Sequence, residues 1–141
     1  MQDRPTYDEL LQAIETFLDK EIVPNVPGSR GFHARVAANA LRIVRRELEQ
    51  REGQLVAEWQ GLDALLGEAE RPATLAALAD SIRERNRVLA ERIRAGDADH
   101  GEFAARVREH VHRTVADKLS VSDPGLLERS VADGEPDASA R

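Results

Sequence analysis

Four side chains able to exchange protons or take strong hydrogen bonds stand where apolar residues are expected: Glu21, His33, Glu47 and Asn86. The stretch "FHARVAANALRIVRRELEQRE", residues 32–52, carries two of them. At ~100° per residue, Phe32, Val36, Ala37, Ala40, Leu41, Ile43, Val44 and Leu48 fill half of a helical wheel, with His33 and Glu47 near the middle of that half. About 21 Å of helix separates these two, so they cannot touch each other. Glu21 falls in the apolar arc of the preceding helix and Asn86 in that of a later one. All four are expected to project toward the core. A buried carboxylate needs a partner, which points to a Glu21–His33 hydrogen bond and to Arg92 or Arg94 for Glu47. Three outcomes follow: these groups set helix register and cap ends, or they line a polar pocket in which His33 is the acid or base and Glu21 orients it, or they reach solvent at helix ends and carry no role.

The opposite side of the same helix stacks Arg35, Asn39, Arg42 and Arg46 into a polar stripe. Planar guanidinium groups in a row suit a carboxylate, a phosphate or an acidic partner surface, and arginine is favoured at interfaces where lysine is not. The stripe is either a solvated face paired with acidic neighbours or the candidate interface.

Other chemistries lack their residues. No Walker or dinucleotide-binding glycine pattern occurs, and "PGSRG" has no following lysine–serine pair. No strand–turn–helix nucleophile elbow is signalled. Glu109 and His112 make one Glu-x-x-His, and Glu21 and Glu47 are further acids, but the second Glu-x-x-His of a helical carboxylate site is missing. Glu109 and His112 also lie off the apolar arc, so no metal and no cofactor is expected. His100 and His110 read as loop and helix-edge residues.

These side chains must be positioned by helices. In 141 residues, 41% are apolar, 33% charged and only 4% aromatic, a mix that favours Leu/Ile/Val/Ala helices over strands. "RPTYDELLQAIETFLDKEIVP" starts with a Thr6/Glu9 capping box and is ended by Pro24. A second helix is expected over 31–51, a break at Gly53, and further helices over 54–66, 73–95 and 101–119. The last uses Phe103, Val107, Val111, Val115 and Leu119 as its apolar stripe. "SVSDPGLL" is expected to end the fold, leaving 128–141 as a disordered acidic tail. The fold class is thus all-α: a single-domain bundle of four to five amphipathic helices over 1–127.

The net charge is −6 and there is no cysteine. An acidic chain with dispersed arginines argues against nucleic acid. No run approaches the ~20 apolar residues of a membrane span, and the acidic opening lacks a signal-peptide core. The expected compartment is the cytoplasm.

"RPTYDELLQAIETFL", "FHARVAANALRIVRRELE", "LLG", "LAERIRAG" and "VADKLSVSDP" together resemble a family of small bacterial proteins known as a domain of unknown function. The resemblance spans about residues 4–124 and is most specific in the second helix. Its pattern carries over to His33, Arg35, Asn39, Arg46, Glu47 and Asn86, whereas Asp123-Pro124 stands where family members often have Asn-Pro. Members tend to be encoded beside aminoglycoside-phosphotransferase-like kinases and acyl-CoA dehydrogenases. The resemblance therefore implies a shared pathway, the breakdown of acyl-CoA compounds, and a kinase-like or dehydrogenase protein as partner. The leading expectation is a non-catalytic accessory protein. Its rival is a small ligand-binding protein or enzyme with the polar pocket above, and a third reading is a homodimer built on leftover apolar surface.

Overall fold

The computed structural model describes residues 4–134, and among these every regular element is helical. Helix α1 spans Tyr7–Phe17 and runs into a π-helical turn, Leu18–Ile22; α2 spans Ser29–Leu66, α3 Leu75–Arg94, α4 Gly101–Ser122 and α5 Pro124–Gly134. The chain forms two compact units, divided between Glu49 and Gln50. No helix among the described residues is long and apolar enough to cross a membrane.

In the first unit, Thr6 caps α1 as expected. Its hydroxyl accepts from the Glu9 N–H at 3.2 Å while the Glu9 carboxylate accepts from the Thr6 N–H at 2.8 Å. The α-helix then widens, the Val23 N–H reaching back to the Leu18 carbonyl at 2.9 Å. Of α2, this unit buries Gly31, Ala34 and Ala38, which recur along one side. A Cβ at Gly31 would overlap the Val26 carbonyl, so only glycine lets the connecting loop close onto the start of α2.

The second unit holds the large side chains of the core. Trp59, Leu62 and Leu65 from α2 pack with Leu78, Ile82 and Leu89 from α3 and Val107 from α4. Arginines bind its rim. Arg85 lies over the Trp59 ring, is in ionic contact with Asp63 at 2.9 Å and donates to the Gly67 carbonyl at 2.8 Å. Arg92 lies over Phe103 and pairs with Asp97, so it serves this rim rather than Glu47. Gly67, at φ +95°, turns the chain out of α2 in a left-handed conformation that a side chain would strain.

Four expectations are corrected. Gly53 is no break: α2 runs through it unbroken, because one helical glycine costs only about 1 kcal/mol relative to alanine and residues on both sides keep the helical period. The buried side of α4 is Ala104, Val107, His110 and Val121, while Val111 and Val115 are exposed. Steps of four residues drift ~40° each around a helix, whereas alternating steps of three and four hold one face. His110 is accordingly buried, not a helix-edge residue. The chain does not stop at "SVSDPGLL". Asp123 accepts the Leu126 N–H at 3.0 Å and Pro124 occupies the first helical position of α5, where its missing N–H is no loss. Helix α5 reaches Gly134, so the segment read as a tail from 128 begins helical, and residues 135–141 lie outside the described residues.

Gly53 has an ordinary φ, and a Cβ there meets nothing within 4 Å. Gly53→Ala is therefore expected to raise stability by about 0.5–1 kcal/mol, read as a higher urea midpoint at unchanged slope. A fall in the midpoint would mean that α2 is not continuous at this position.

Candidate functional site

The side of α2 that meets α1 is built from charge. Arg42 Nε donates to Glu15 Oε1 at 3.0 Å, and its Nη2 bonds the Asp19 carboxylate. Arg45 donates from Nε to Asp8 Oδ1 at 2.7 Å and from Nη1 to Glu15 Oε2 at 2.9 Å. Glu15 thus bridges both arginines and is the most sheltered of the carboxylates, its side chain 16% exposed. Spacings of seven and four residues along α1 and the π-helical turn that follows it (Asp8, Glu15, Asp19) meet a spacing of three on α2, which puts all five groups on facing sides. The Arg45 guanidinium holds the Asp8 carboxyl below the usual carboxylate range, chiefly through its hydrogen bond; in turn Asp8 and Glu15 raise Arg45. Tyr7, Arg46 and Glu49 close an open cleft of about 530 Å³ around this lattice. Opposite charges fill its walls, so the arginines are largely neutralised by the protein's own acids.

The sequence-marked residues fall as follows. Arg42 is committed to α1, Arg46 lines the cleft, and Arg35 and Asn39 are exposed. Glu21, His33 and Glu47 are exposed rather than core-facing, because α1 docks on the charged side of α2 and leaves the apolar arc outside. The Glu21 carbonyl accepts from Asn25 Nδ2 at 2.8 Å, and the His33 ring meets Phe32 edge-on, 5.6 Å between centroids. Asn86 belongs to the second unit, half-buried, where its Nδ2 donates to Glu58 Oε1 at 2.7 Å. Arg45, Asp8, Glu15 and Asp19 escaped the sequence reading. Their signal was the matched spacing of acids on one helix and arginines on the next.

The second unit carries a different polar feature. His110 on α4 lies against Gly61 on α2, and a Cβ on Gly61 would overlap the imidazole. Around it, a shallow pocket of about 270 Å³ is lined by Gln60, Ala64, Arg106, Glu109 and Arg113. Further along the same helix pair, Gln54 donates to the Asp117 carbonyl at 2.9 Å and Gln50 accepts from the Ser120 hydroxyl at 2.8 Å. Burial pushes the His110 imidazole below its ordinary value; Glu58 draws it back, and Arg113 and Lys118 add to the lowering.

Two outcomes are expected. Arg45→Gln removes the hydrogen bonds to Asp8, so the Asp8 midpoint should move up into the ordinary carboxylate range in an NMR titration; an unmoved midpoint would separate Asp8 from Arg45. For His110, the folded form resists protonation and the unfolded chain does not. The unfolded state then binds more protons once pH falls below about 6.5, and stability declines with it. The urea midpoint should drop between about pH 7.5 and about pH 5.5, and the drop should shrink in His110→Gln. An equal drop in the variant would assign it to other groups.

No curated protein and no solved structure matches the chain. A family model, described as a domain of unknown function (DUF6285), matches residues 24–126. That range holds α2, α3, α4 and the start of α5, with the α1-facing arginines, His33, Glu47, Asn86 and His110, while α1 precedes it. On a match over most of its length, the chain belongs to the DUF6285 family.

Proposed function

We propose that this chain is a non-catalytic accessory protein that binds a phosphotransferase-like kinase or an acyl-CoA dehydrogenase in acyl-CoA catabolism. One observation carries the reading: α1 buries none of its own residues, yet aligns four large apolar side chains. Tyr7, Leu10, Ile14 and Phe17 are 59, 47, 51 and 54% exposed. Spacings of three, four and three residues put them on one side of the helix. A helix held on one side by ion pairs and presenting apolar anchors on another is one half of a helix-in-groove contact. Beside Phe17, the same helical surface carries Ala13 and Thr16, with Lys20 and Glu21 at its edge. Arg35 and Asn39, exposed on α2 of the same unit, supply polar contacts. The choice of partner rests on the resemblance, whose members are encoded beside such enzymes.

The test is affinity purification of the tagged chain from its native host, followed by reconstitution with the purified partner. A stoichiometric kinase-like protein or acyl-CoA dehydrogenase is expected. Leu10→Asp and Phe17→Asp should each weaken it by about 30-fold or more if these are anchor residues. Recovery of neither enzyme overturns the proposal, and a tightly held small molecule in their place favours the polar-pocket reading.

A further inference from the structure

The apolar arc of α2 that α1 leaves outside is self-complementary. We propose that it pairs with the same arc of a second copy of this chain, antiparallel, across a two-fold axis beside Ala40. Phe32, Val36, Val44 and Leu48 are 58, 51, 44 and 45% exposed, and His33, Ala40 and Glu47 are exposed among them. His33, Ala40 and Glu47 recur every seven residues, with Val36 and Val44 between them. That is the 3.5-residue period of a helix seam. An unpaired apolar helix face of roughly 24 Å length, in a unit whose buried residues are glycine and alanine, is a docking surface.

Symmetry and charge select the occupant. In a two-fold interface, residue i meets j and j meets i. Reversing the helix about Ala40 lays Val36 at the level of Val44 of the second copy and Phe32 at the level of Leu48 of the second copy. It also lays His33 opposite Glu47 of the second copy, a cation-capable ring facing a carboxylate, twice per dimer. Both positions stand within about 20° of the seam centre, so these side chains meet across it. Parallel pairing would instead set Glu47 on Glu47. A carboxylate accepts several donors, so the contact is compatible with interactions Glu47 makes in its own chain. Ala40 at the axis keeps the backbones close. Closing this seam removes on the order of 1,000 Å² from water, the threshold of a specific interface. The pairing leaves the α1 stripe unused, so it stands or falls independently of the partner enzyme.

The natural chain has no cysteine, so single replacements give one thiol each. Ala40→Cys should cross-link to a second copy under mild oxidation. Leu48→Cys should not, its two copies lying roughly 24 Å apart along the antiparallel pair. Sedimentation equilibrium of the natural chain should show a concentration-dependent species of twice the 15.6 kDa chain mass. His33→Glu should weaken it at least tenfold with helical content unchanged, and His33→Glu with Glu47→Lys should restore it. A 15.6 kDa species at every concentration overturns the proposal, as does Leu48→Cys cross-linking as readily as Ala40→Cys or a swap that fails to restore the dimer.

Discussion

The docking of α1 through the Arg42–Arg45 pair decides what the first unit presents to its surroundings. Two arginines three residues apart on α2 take two carboxylates from α1 and one from the π-helical turn after it, and beside them Ala34 and Ala38 are small enough to let the helices approach. Because this contact uses the charged side of α2, the apolar side is left outside. A helix pair joined by its hydrophobic faces would have hidden Phe32, Val36, Val44 and Leu48. Joined by its ionic faces, it displays them, and it displays the α1 stripe as well. The exposure of both apolar stripes traces back to this one choice of face.

The helices themselves are legible in the sequence, because caps, prolines and apolar period act locally. Thr6 with Glu9 at the start of α1 and Gly96 after the end of α3 mark boundaries by their own chemistry. Failures arose where a local cue met a longer-range balance. Gly53 signals a joint, but its penalty is small beside the propagation of a helix already formed on either side. In α4, the valines at four-residue steps outline an apolar stripe. The packed side is chosen instead by close approach: Gly61 admits the His110 ring, and the remaining turns are paired by Gln50, Gln54 and Ser120. An apolar count along one helix cannot show that a glycine on another has made room for an imidazole.

The candidate site was legible in a different sense. The wheel singled out His33 and Glu47 because they interrupt an apolar arc, and that geometry holds in the structure. What the wheel cannot supply is whether the protein's own core covers the arc, and here it does not. Assigning that role to the protein's own core made His33 and Glu47 look like buried polar groups in need of partners within the chain. Arg45 was passed over for the converse reason: a charged residue on a charged side looks solvated until the acids of the neighbouring helix are placed beside it.

Apolar burial is unevenly divided along α2. Trp59, Leu62 and Leu65, buried against α3 and α4, provide the tertiary contacts that hold its later part. Its earlier part buries only Gly31, Ala34 and Ala38. The ion pairs that add α1 are partly exposed, and such pairs each contribute little and weaken with salt. Large apolar burial therefore anchors one unit, while charge holds the elements of the other. A unit assembled in this way leaves Leu10, Ile14 and Phe17 of α1 and Phe32, Val36, Val44 and Leu48 of α2 exposed.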